Sequence, residues 1–237
     1  MTTYNAVKKL ALGVALSGLF AWQASAIIQY NQAALNTPTT TPGNQVLTAM
    51  DLGQAFTVNS PITVGYLGAF DAGQDGWAGA TITVAIYNFT TDQIVGSAAQ
   101  FFGTGANEGT LGANSSFRFL SVNPFTLAVG QTYEIVASGL GTAANPDYNS
   151  STSPGHVSLM TLNTFGGAVT YGGNYYNYPG NGTMPTHLDV DPVPGPGRYG
   201  AGTFVPVPEA AGFALAGVGL LGLVYVGRCY RQKLQLA

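Results

Sequence analysis

In the middle of the chain, apolar and polar residues alternate with a period of two. Ile82, Val84 and Ile86 alternate with Thr81, Thr83, Ala85 and Tyr87, and Tyr133, Ile135 and Ala137 alternate with Thr132, Glu134 and Val136. This is the pattern of strands that turn one face to a core. Further strands are expected at Gln54 to Val58, Ile62 to Phe70, Ile94 to Phe101, Ser116 to Val122, Val157 to Thr161 and Ala168 to Tyr171, with Phe204 in a last one. Glycine, proline and asparagine divide them. From Asn163 to about residue 200 the chain turns to Gly, Tyr, Asn and Pro, which predicts long loops with one or two edge strands. No apolar stripe at helical spacing occurs outside the two termini. The expectation is an all-β, antiparallel two-sheet sandwich of jelly-roll type over residues 27–205.

The termini break the alternation with unmixed apolar runs. Lys8 and Lys9 precede a run from Leu10 to Trp22, and Ala24-Ser25-Ala26 follows with small residues where a signal peptidase reads them. Residues 1–26 therefore read as a secretory signal peptide, a helix cleaved after Ala26. The second run, Ala210 to Gly227, has no charge and spans about 27 Å at about 1.5 Å per helical residue, enough for a bilayer core. Arg228, Arg231 and Lys233 follow it, so a transmembrane helix at 210–227 would leave its tail in the cytoplasm and the preceding domain outside.

Val207, Pro208 and Glu209, the Gly/Leu/Ala-rich run, and Arg228 with Arg231 form a three-part C-terminus over residues 206–237. This layout resembles the PEP-CTERM sorting signal of bacterial exosortase substrates, with Ala210 where the family usually has a second proline. The resemblance implies recognition by an exosortase-like membrane transpeptidase, an exopolysaccharide or biofilm setting, and an address at the cell surface or in the extracellular matrix. Gly217-x-Gly219-x-x-Gly222 matches a dinucleotide-binding spacing, but the chain ends at Ala237, leaving no room for the following acid that motif requires. Small residues for helix packing explain it. Between Leu52 and Gly139, the runs Phe56 to Val64, Leu67 to Asp71, Val84 to Tyr87, Phe117 to Phe119 and Leu127 to Tyr133 look like an uncharacterised β-sandwich module found ahead of that signal. Many members carry Ser-His before the Val-x-Ile-Tyr strand; this chain has Ile82-Thr83.

Charge narrows the partners. Only Arg118 and Arg198 are basic between Ile27 and Val205, against Asp51, Asp71, Asp75, Asp92, Glu108, Glu134, Asp147, Asp189 and Asp191. Such a surface cannot neutralise phosphates, which argues against nucleic acid. Cys229, the single cysteine, lies in the basic tail, so the exported domain has no disulfide and must be held by packing.

Candidate chemistry is thin. There is no Gly-x-Ser-x-Gly turn, and Ser153, His156 and Ser158 are neighbours in sequence without the marks of a triad. Glu108 with Glu134 or Asp92 could form a glycosidase pair only by elimination. The expectation is no enzyme and no required cofactor. Asp71 and Asp75 in Asp71-Ala72-Gly73-Gln74-Asp75-Gly76 offer hard oxygen ligands for a structural calcium, or form a plain Asp-Gly turn. His187, Asp189 and Asp191 alternate, which suits a metal or a solvated edge. Tyr171, Tyr175, Tyr176 and Tyr178 are the best candidates for ligand contact, since aromatic faces on loops stack on sugar rings; the alternative is a lid packed on the sandwich. Extracellular polysaccharide is the partner that cluster would serve.

Overall fold

A computed structural model of the chain describes residues 32–36, 50–71, 74, 76–77, 81–103, 108–112, 115–140, 151–152, 157–158, 160–189 and 200–207. The chain divides into two units, residues 1–206 and 207–237, and of the second only Val207 is among the described residues. Among those residues the protein is all-β: apart from a trace of 3-10 helix at Gln74 the regular elements are strands, and every pairing with a described register is antiparallel. No helix among them is long and apolar enough to cross a membrane; the run at 210–227 lies outside them.

Among the described residues fifteen strands run in chain order from β1 (Ala34–Asn36) through β2 (Met50–Val58), β3 (Ile62–Phe70), β4 (Ile82–Asn88), β5 (Gln93–Ile94), β6 (Ala99–Phe101), β7 (Thr110–Leu111) and β8 (Phe117–Leu127). They continue with β9 (Thr132–Leu140), β10 (Ser151–Thr152), β11 (Val157–Ser158), β12 (Met160–Leu162), β13 (Val169–Asn177), β14 (His187–Leu188) and β15 (Gly202–Val207). A seven-stranded sheet has the order β14-β13-β2-β9-β4-β5, with β6 also on β4; a four-stranded sheet has the order β15-β3-β8-β7. Two-stranded pairs β1-β12 and β10-β11 complete the set.

Both larger sheets feed one core. From the seven-stranded sheet come Leu52, Phe56, Val58, Val84, Ile86, Tyr133, Ile135 and Ala137; from the four-stranded sheet come Val64, Leu67, Ala69, Leu127 and Phe204. These are the alternate residues on which the period-two pattern rests, and burying each large one contributes about 1.5–3 kcal/mol. Segment 32–34 lies along β15: Ala33 N–H donates to the Phe204 carbonyl at 2.8 Å, and Ala34 N–H donates to Thr203 Oγ1 at 2.9 Å. A cavity of about 10 Å³ remains beneath it, lined by Gln54, Ile135, Leu162, Tyr171 and Phe204. That is room for one water at most and for no organic ligand.

Three stretches depart from the sequence expectation. The strand expected from Ile94 to Phe101 is two, β5 and β6, because Gly96 takes a left-handed φ of 73° between them. A side chain at that glycine would also strike the Phe125 ring, 2.2 Å from an ideal Cβ. The strand expected at Val157 to Thr161 is likewise two, β11 and β12. The Gly/Tyr/Asn-rich stretch is no set of long loops over its whole length, since β13 runs nine residues through it, flanked by β2 on one side and β14 on the other.

Candidate functional site

The outer face of the seven-stranded sheet, opposite the main core, carries the candidate site. Register places Tyr175, Gly53, Val136 and Ala85 on one rung, Ala55, Glu134 and Tyr87 on the next, and Thr57 with Thr132 on a third. Ala85, Tyr87, Val136 and Met184 form a small buried cluster there, with Phe89 packed against it. Glu134 lies in the middle at 0% exposure, and neither carboxyl oxygen has a hydrogen-bond partner. Its carboxyl fills the space above Gly53, where an added Cβ would come within 1.7 Å of Oε1. Glycine inside a strand often marks such a close approach, and here any larger residue would evict the acid.

Two rings roof this rung. Tyr175 on β13 and Phe89 at the end of β4 start from opposite corners of the face, yet their centroids are 5.2 Å apart in an edge-to-face contact. They therefore bridge over the rung that holds Ala55 and Glu134. Both rings are half-buried. The chain after β13 closes the other end: Tyr87 Oη donates to the Gly182 carbonyl at 3.2 Å, and Asp51 Oδ2 accepts from the N–H groups of Asn181 and Gly182 at 2.8 and 2.9 Å.

Electrostatics follow from this enclosure. Burial, and secondarily the charge of Asp92, pushes the Glu134 carboxyl up to about 8, so it holds its proton at neutral pH. Burial raises the Tyr87 hydroxyl, helped by Asp51, Asp92 and Glu134, and raises that of Tyr175, helped by Glu134. Among the described residues Arg118 is the only Lys or Arg, and it is engaged elsewhere. Chemically, this is a neutral acid in an acidic and aromatic surrounding, able to donate one proton and to accept from any donor that reaches it.

The four tyrosines do not share a surface. Gly172 and Gly173 stand opposite the single residue Ala55, a bulge that shifts register between Tyr171 and Asn174. Gln54 Nε2 holds it by donating to the carbonyls of Gly172 and Gly173 at 3.0 and 3.1 Å. Without the extra residue, Tyr171 and Tyr175 would point the same way; with it, they point to opposite faces. Tyr171 turns to the core, where its hydroxyl donates to the carbonyls of Ala33 and Asn163 and burial raises its ionisation point. Tyr176 also packs on the core, its ring 5.6 Å from that of His187. Tyr178 is 49% exposed beyond the strand. Only Tyr175 reaches Glu134.

At the calcium candidate, Asp71 is fully buried and its carboxylate is already engaged. Arg118 Nε pairs with Oδ2, and Gly76 N–H donates to Oδ1 and Oδ2 at 3.0 and 3.1 Å. Arg118 Nη2 also donates to the Gln74 carbonyl at 2.7 Å, so a guanidinium occupies the place a cation would take. Trp77 follows, fully buried, its Nε1–H on the Phe70 carbonyl at 2.9 Å. Of the other candidates, His187 is exposed in β14, and Glu108 accepts from Phe102 N–H. Asp75, Asp191, Ser153, His156, Ala24, Ala26, Pro208, Glu209, Arg228 and Arg231 lie outside the described residues; Val207 ends β15.

Sequence reasoning named Glu134 only by elimination. Alternation puts Glu134 on the face of Val136, and only the strand register sets it between Gly53 and Ala55 on one side and Ala85 on the other. No protein-family model matches this chain, and no curated protein is similar to it in sequence.

Proposed function

We propose that the chain is a non-enzymatic exported protein of the cell surface or extracellular matrix, with a jelly-roll-like sandwich as its exported domain. The observation that carries this reading is the three-part C-terminus: Val207-Pro208-Glu209, the uncharged run at 210–227, and Arg228 with Arg231. With the signal-peptide pattern at the other end, it specifies translocation, cleavage after Ala26, retention by the C-terminal helix, and processing near Pro208-Glu209 by an exosortase-like transpeptidase. An all-β domain with few charges and a packed core suits an exported protein that lacks disulfides. The test is peptide mapping by mass spectrometry of the protein recovered from its host's surface and medium. A C-terminus near Glu209 supports sorting; intact peptides through Arg228 in the membrane fraction contradict it.

A second reading, binding of an extracellular polysaccharide, is favoured by one observation: half-buried Tyr175 and Phe89 lie over a carboxyl with no partner. Retention on a polysaccharide matrix that is lost in Tyr175→Ala and kept in Tyr178→Ala supports it. No retention on any such matrix removes it.

A further inference from the structure

We propose that Glu134 is the floor of a binding site for a small organic ammonium group, opened by parting the rings of Phe89 and Tyr175. The enclosed carboxyl lacks donors on both oxygens, so an occupant that brings N–H or O–H groups would satisfy it. Leaving a buried polar group without a partner costs about 1–3 kcal/mol, and that cost is relieved when a donor arrives. A protonated amine brings three donors and a positive charge.

Charge and wall chemistry select this class over others. Asp92 acts on Glu134, and Asp51 and Asp92 act on Tyr87, so the field favours a cation and opposes phosphates and carboxylates. Aromatic walls favour an organic cation: an ammonium over a ring face gains roughly 0.5–2 kcal/mol, more as water is excluded. Hard metal ions want several oxygen ligands, and among the described residues no group of three or more His, Cys, Asp or Glu could supply them. Both rings stand at the rim of the sheet. Phe89 begins the turn from β4 to β5, whose residues Thr90, Thr91 and Asp92 are exposed, and Tyr175 follows the Gly172-Gly173 bulge.

Binding has a balanced proton account. Glu134 enters as a carboxylic acid, the amine enters as R-NH₃⁺, the pair leaves as carboxylate and ammonium, and one proton passes to the buffer. The inference concerns the folded domain and does not depend on the sorting reading. Its test uses the full chain in a polyoxyethylene detergent, which carries no sugar, with isothermal titration at pH 6.5 in two buffers of different ionisation heat. The probes are glucosamine, N-acetyl-lysine amide and, as the neutral control, N-acetylglucosamine. Either amine should bind with release of about one proton, the control should not, and the tighter amine identifies a glycan or a protein side chain as the source. Glu134→Gln should keep the fold and weaken amine binding by about tenfold or more, the loss expected for removing an ionic hydrogen bond. Gly53→Ala, which displaces the carboxyl, should do the same. Failure of both amines to bind, equal affinity in Glu134→Gln, or binding without proton release would overturn the site.

Discussion

Asp71, just after a strand of one sheet, and Glu134, within a strand of the other, are both 0% exposed, yet their surroundings are opposite. Asp71 follows β3 and is met by the Arg118 guanidinium and the Gly76 N–H. Glu134 sits inside β9 among Gly53, Ala55 and aromatic rings, with no donor on either oxygen. A compensated acid locks a turn, whereas an uncompensated one gives up its charge and weakens the fold. Burial alone therefore does not mark a site. The difference lies in whether the chain supplies its own counter-group.

Breaking the compensated side should have the largest effect. Arg118→Leu leaves Asp71 buried without its guanidinium counter-charge, and should lower stability by about 3–5 kcal/mol in chemical denaturation. If the loss is under about 1 kcal/mol, the Asp71–Arg118 pair is not the lock described here.

On the other side, the prediction is a pH dependence. As pH rises from 4.5, the unfolded chain loses the Glu134 proton first while the folded state keeps it until about pH 8. The contribution of Glu134 to stability is therefore greatest below pH 4.5, falls as pH rises to about 8, and is level above that. Between pH 4.5 and 7 the loss should be on the order of 3 kcal/mol. Glu134→Gln should abolish that component and be more stable than the wild type at pH 8, and a variant that retains the slope would assign it to another group.

Smaller effects refine the contrast. Gln54→Leu removes the donor that holds the Gly172-Gly173 bulge and should cost about 1–2 kcal/mol, with an altered near-ultraviolet tyrosine signal as Tyr175 shifts. Tyr178→Ala, at a side chain 49% exposed, should stay within about 0.5 kcal/mol of the wild type. A larger loss would give Tyr178 a packing role that its exposure denies.

The compensated and uncompensated acids were not equally legible in the sequence. Alternation located the strands that carry both, and Ile62 to Phe70 was expected with the bounds β3 has. Asp71 was visible as a turn residue, but its partner Arg118 lies far along the chain, and the pairing depends on the register of β3 with β8. Tyr171 was expected in a strand, whereas Tyr175 and Tyr176 were expected on loops because Gly172, Gly173 and Asn174 read as turn formers. In the sheet, β2 supplies partners on both sides of the bulge, and that pairing overrides local preference. Glu134 was hidden for a different reason. An acid between Tyr133 and Ile135 looks like the solvated side of an alternating strand, and only the rings of Tyr175 and Phe89 and the chain after β13, folded over that side, bury it.

The most direct test is a carbon-13 NMR titration of the Glu134 side-chain carboxyl, assigned by comparison with Glu134→Gln. A midpoint near pH 8, with a protonated signal persisting through pH 6.5, is the predicted result. A midpoint near 4.5, the ordinary value for a glutamate, would mean that water or a donor reaches the carboxyl, and the uncompensated acid on which the site rests would not exist.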